Sequence, residues 1–121
     1  MRNTLLLLIF FILFSSNLYN ITPDEQSFLF WASYGHMGKV KDYVYNKNVH
    51  INVQDNEGNT VLMRIASLKA ITKENMQVAE FLIDRKADLN VVNNDRHTAL
   101  VLAINNNNTE IARLFVEKGA K

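Results

Sequence analysis

The chain has no cysteine, and only one proline and four glycines, in 121 residues. Without cysteine there is no disulfide, no thiolate metal ligand and no thiol nucleophile, so the fold must hold by packing alone. The lipidated cysteine of a lipoprotein-type leader is excluded with them. Four glycines are too few for a glycine-rich phosphate loop, and no G-x-S-x-G is present. An excess of charge of one sign is missing too. Arg2 is the only charge in the first twenty residues, which leaves 12 Lys and Arg against 12 Asp and Glu in the rest, with the signs interspersed. A nucleic-acid or anionic-membrane binder needs a basic face, so neither partner is expected.

There is a single long apolar run, Leu5 to Phe14, with Arg2 before it and Ser15 and Ser16 after it. That run falls well short of the roughly 20 apolar residues that span a bilayer. A charged start, an apolar stretch and a small-residue exit form the pattern of a secretory signal peptide. Residues 1–20 are therefore expected to be a leader, although Phe14-Ser15-Ser16 and Ser15-Ser16-Asn17 both depart from the small-x-small cleavage pattern. The expected location is the periplasm or the exterior, the alternative being an uncleaved membrane anchor. The remainder suffices for one modest domain. Asn is abundant and includes the unbroken run Asn105 to Asn108; with the many Lys and Ile this reads as AT-rich coding bias, not function.

No catalytic grouping emerges. His36, His50 and His97 fall in different turns, none with a second His or a carboxylate at metal-ligand spacing. Asp84, Asp88 and Asp95 fall on separate elements. No enzyme activity, metal, cofactor or small-molecule substrate is expected.

What the chain does contain is a repeat. Ser27 opens "SFLFWASYGHMGKVKDYVYNKNVHIN", Thr60 opens "TVLMRIASLKAITKENMQVAEFLIDRKADLN" and Thr98 opens "TALVLAINNNNTEIARLFVEKGAK". The interval from Thr60 to Thr98 is slightly longer than that from Ser27 to Thr60. The excess is a short insertion within "LKAITKENM", where Thr72 can cap a helix. Each opening Ser or Thr is followed two residues on by Leu29, Leu62 or Leu100, and then by a small residue, Ala32, Ala66 or Ala103. A second run follows at i, i+3, i+4 spacing: Val40-Tyr43-Val44, Val78-Phe81-Leu82 and Ile111-Leu114-Phe115. Each unit thus reads as a short helix, a turn and a longer amphipathic helix.

The pattern resembles the ankyrin repeat. Asp55, Gly58, Thr60, Leu62, Ala66, Val78, Leu82, Ala87, Asp88 and Asn90 match that family's positions in the second unit. Thr98, Leu100, Ala103, Ile111, Gly119 and Ala120 match them in the third. The resemblance implies an all-α solenoid over residues 23–121, with units of about 23–54, 55–92 and 93–121 joined by β-turn or hairpin connections. Gly58 would supply a positive-φ turn and Thr60 a helix cap. The family's Pro is Val61 and Ala99 here, its His is Met63 and Val101, and its turn Gly becomes Arg96, which costs on the order of 1 kcal/mol if φ stays positive.

The resemblance further implies a non-catalytic module that binds a protein through its turn tips and the exposed faces of its first helices, similar to short exported bacterial ankyrin proteins. By register the contacts are Trp31 and Tyr34 in the first unit. They are Asn56, Glu57, Asn59, Arg64 and Ser67 in the second, and Asn94, Asp95, His97, Leu102 and Asn105 in the third. Trp31, Tyr34, Arg64 and Leu102 would be central. Trp31 and Tyr34 have a second reading, as a cover for the N-terminal end of the core. Val101 and Ile104 are expected to face an unfilled side after the third unit, so a homodimer through that end is the alternative role.

Overall fold

The computed structural model describes Thr4 and residues 21–121; the expected leader, residues 1–20, lies outside the described residues apart from Thr4. Six helices follow in order: α1 (Pro23–Ser33), α2 (Met37–Tyr45), α3 (Val61–Ala66), α4 (Lys73–Asp84), α5 (Ala99–Asn105) and α6 (Thr109–Glu117). No strand occurs among the described residues, so the architecture is all-α and its connections are turns.

Threonine starts four of the helices. The hydroxyls of Thr22, Thr60, Thr72 and Thr98 accept from the backbone N–H groups of Glu25, Met63, Asn75 and Val101, each meeting one of the donors that a helix start leaves unpaired. The short-then-long order expected of each unit holds for α3 and α4, of 6 and 12 residues, and for α5 and α6, of 7 and 9. It reverses in the first unit, where α1 has 11 residues and α2 has 9. The reason is local. Thr22 and Glu25 form a reciprocal capping box with Pro23 in the first turn, which starts α1 well before Ser27. Thr22→Ala should lower the unfolding free energy by about 1 kcal/mol in a urea titration.

The helices bury one continuous core. α3 packs against α1, α4 and α5, and Val61, Leu62, Met63, Ile65 and Ala66 are all buried there, leaving Arg64 as its one partly open position. Phe28, Leu29 and Ala32 of α1, Val78 and Leu82 of α4, and Ile111, Leu114 and Phe115 of α6 complete the interior.

Neighbouring units are tied by asparagine. Asn75 Nδ2 donates to the Ser33 carbonyl at 2.9 Å. Asn108 Nδ2 donates to the Ala66 and Leu68 carbonyls at 2.7 and 2.9 Å. Those oxygens lie at or just past the C-terminal ends of first helices, where the intrahelical partners run out. The first helices of the first two units, α1 and α3, are thus closed by the unit that follows. Asn108 also occupies the N-cap of α6 without making a side-chain cap bond; its Nδ2 donates to the unit before instead. Asn108→Ala leaves two carbonyls without this donor and should cost about 1–3 kcal/mol, read by urea unfolding.

Candidate protein-binding surface

Two turns of one design protrude from the helix pairs. Asp55 Oδ1 accepts from the N–H groups of Glu57 and Asn59, each at 2.9 Å, and the Gly58 N–H closes onto the Asp55 carbonyl. Asn93 Oδ1 does the same for Asp95 and His97, each at 3.0 Å, and the Arg96 N–H closes onto the Asn93 carbonyl. Gly58 sits at φ 81° and Arg96 at φ 64°, so the positive-φ position persists where glycine has been lost.

The second turn is bonded onto the first. The Asn94 N–H donates to the Glu57 carbonyl at 3.0 Å, Asn94 Nδ2 to the Asn56 carbonyl at 3.0 Å, and Asn93 Nδ2 to Asn59 Oδ1 at 2.9 Å. Asn59 and Asn94 therefore brace the tips with the same groups that would otherwise read a partner. Asn56, Glu57 and Asp95 are exposed.

Along the first helices, Arg64 Nε pairs with Asp55 Oδ2 at 2.8 Å, which fixes the guanidinium against its own turn. Ser67 is exposed with its hydroxyl turned back to the Met63 carbonyl. Leu102 and His97 are half-buried and Asn105 is exposed. Between α1 and the first turn lies a cleft of about 430 Å³, lined by Ile21, Gln26, Leu29 and Phe30 on one side and Asp55, Asn56, Glu57 and Arg64 on the other. Phe30 is 49% exposed and packs at a tilt against Tyr34, 71% exposed, with ring centroids 4.7 Å apart.

The ankyrin family model, three repeat copies, matches residues 28–121. The chain belongs to the ankyrin-repeat family. A stretch of 77 residues is 36% identical to alpha-latroinsectotoxin-Lt1a of Latrodectus tredecimguttatus, covering 64% of this chain and 5% of that protein. A chain in the complex of a predatory endopeptidase from Bdellovibrio bacteriovorus with its immunity protein is 31% identical, with a TM-score of 0.67, over 78% of this chain and 46% of that one. This ankyrin chain thus spans a small fraction of the first relative and under half of the second.

The ankyrin register brings Asn56, Glu57 and Arg64 into one cleft, with Asn94 and Asp95 on the adjoining tip. It does not bring Trp31 there. That indole packs against Phe30 and His36, each with centroids 5.2 Å away, and beneath Lys39. The sequence reading missed Phe30 and Gln26. Their signal was available: Gln26, Phe30 and Tyr34 recur every four residues, one face of a helix.

Val101 and Ile104 are 36% and 59% exposed, whereas Met63 and Ala66, their counterparts in the preceding unit, are 1% and 0% exposed. Among the described residues no three His, Cys, Asp or Glu side chains come together to hold a metal ion, and no helix is long and apolar enough to cross a membrane. His36 serves as the N-cap of α2, accepting the Lys39 N–H at 3.2 Å.

Proposed function

We propose that this ankyrin-repeat protein is exported and binds a protein partner, without catalysis, through the α1 cleft and the two turn tips. The observation that supports this best is the pairing of an exposed aromatic couple, Phe30 and Tyr34, with a braced polar wall. Arg64 is held by Asp55, and the tips are held by Asn59 and Asn94. Rigid aromatic area beside fixed polar groups lowers the ordering cost of association. Export rests on the leader-like residues 1–20. The similarity to a chain of an endopeptidase–immunity protein complex makes an exported hydrolase the first partner class to test.

The test is a crosslinked pull-down from the exported fraction of the native cells, with the full chain beside a Phe30→Ala, Tyr34→Ala, Glu57→Ala variant. These side chains are exposed, so the variant should keep its circular dichroism. The expected result is one protein captured by the unaltered chain and weakened at least about 100-fold in the variant, since interface anchors each contribute about 2 kcal/mol or more. Equal capture by the folded variant would overturn the surface assignment. Capture of nothing but the chain itself by both would replace it with self-association through the Val101 and Ile104 end.

A further inference from the structure

The first helices α1, α3 and α5 pack on one another in one layer, and α2 packs against α4 in a second. That second layer carries a cluster that the α1 cleft and the turn tips do not use. Lys41 and Tyr45 stand one turn apart on α2. Phe81 of α4 and Arg85, its C-cap, are spaced the same way. The two rings meet edge to face, with centroids 6.1 Å apart at 86°. Both cations gather on one ring: the Arg85 guanidinium carbon lies 3.6 Å from the Phe81 centroid, and Lys41 Nζ lies 5.9 Å from it. Arg85 is also fixed by its own donors. Nη1 donates to the Phe81 carbonyl at 3.2 Å, and Nη2 donates to the Tyr45 hydroxyl. The cluster stays open to solvent, with Tyr45 56% exposed, Lys41 and Arg85 exposed and Phe81 half-buried.

Neither cation has a carboxylate. Among the described residues the ion pairs are Arg64 with Asp55 and Lys118 with Asp84. The acids nearest in sequence are turned elsewhere: Asp42 accepts from Asn46, and Asp84 faces Lys118. Arg85 commits two of its five donors, which leaves three N–H groups without an acceptor among the described residues. A guanidinium stacked on an aromatic face is weakly hydrated and already ordered, so a carboxylate meets it at little entropic cost. Tyr45 and Phe81 add apolar area beside it, and Tyr and Arg are the residue types that most often anchor interfaces. From this we infer that Lys41, Tyr45, Phe81 and Arg85 form a second docking surface, on the second-helix layer, for a protein segment that carries paired acidic side chains. Charge complementarity sets that choice. Two cations match two carboxylates, whereas a nucleic acid or an anionic bilayer calls for a broad basic face. The surface stands apart from the α1 cleft, so it does not rest on the reading of that cleft, and both can be occupied at once.

The test titrates the isotope-labelled full chain with an end-blocked Glu-Glu-Leu-Glu-Glu peptide at low salt, read by amide and Arg side-chain NMR shifts. The Gln-Gln-Leu-Gln-Gln peptide is the uncharged control. The acidic peptide should give saturating shifts at Tyr45, Phe81 and Arg85, with a dissociation constant of about 1 mM or tighter. Lys41→Gln with Arg85→Gln should weaken it by about tenfold or more, the loss expected when charge-assisted contacts are removed. Both side chains are exposed, and unchanged shifts elsewhere show that the variant is folded. The Phe30→Ala, Tyr34→Ala, Glu57→Ala variant should bind the peptide as the unaltered chain does, which separates this surface from the α1 cleft. Three results would each overturn the inference: no saturating shift at the cluster, equal binding of the Gln peptide, or equal binding by the folded Lys41, Arg85 variant. Phosphatidylglycerol vesicles or single-stranded DNA that shift these amides while the acidic peptide does not would replace the protein segment with that ligand.

Discussion

Gly58→Ala should lower the unfolding free energy by about 2–4 kcal/mol, whereas Arg96→Gly should raise it slightly, although both substitutions fall at the same place in the same turn. At Gly58 the cost has two parts. A left-handed alanine costs about 1–2 kcal/mol. The added Cβ would also stand 2.9 Å from the Asn94 nitrogen. A backbone atom cannot swing aside as a side-chain tip can, so the two turns must part or strain, adding about 1–2 kcal/mol. Parting would loosen the Asn94 bonds to the Glu57 and Asn56 carbonyls. At Arg96 only the backbone term applies. Glycine removes a penalty of about 1–2 kcal/mol and brings back about 0.5–1 kcal/mol of unfolded-state entropy, for a net gain of about 0.5 kcal/mol. Urea unfolding reads both changes, with a constant slope showing that the whole array still unfolds together. Equal and small losses at the two sites would mean that the turns do not press on one another.

The repeat was legible because spacing alone carries it. Thr60 and Thr98 cap the helices assigned to them, and Leu62, Ala66, Ala103 and Ile111 take up inward-facing places, since burial in a stacked array depends on register. What stayed illegible were the contacts between units. Asn75, Asn93 and Asn108 look like the rest of an asparagine-rich composition. They become specific only when stacking puts a carbonyl or amide within hydrogen-bonding distance of each. Their effect is energetic, since an unpaired buried carbonyl is costly. Arg64 was half legible: the register puts it on the exposed face, but only the folded turn shows Asp55 pairing with it. The start of α1 was legible and overlooked, because the Thr22-Pro23-Asp24-Glu25 capping box precedes the Ser27 that the repeat alignment singled out.

Phe28→Ala should cost about 3–5 kcal/mol, the usual range for removing a buried phenylalanine, while Tyr34→Ala should change stability by no more than about 0.5 kcal/mol. The two side chains belong to the same aromatic cluster in sequence, and only burial separates them: Phe28 is fully buried and Tyr34 is 71% exposed. This pair decides between the readings of the first-unit aromatics. If Tyr34 and the half-buried Trp31 covered the end of the core, their removal would rival that of Phe28. If Phe28 fills the core alone, they are left to a partner. An array of stacked units adds a spatial signature, because stability there is close to a sum of unit and neighbour terms. The Phe28→Ala loss should therefore concentrate in α1 and α2, with amide exchange accelerated there well before α5 and α6, and with a shallower urea transition as the first unit melts ahead of the rest. A uniform loss of protection across all six helices would instead show that three units unfold as one, with no separable first unit.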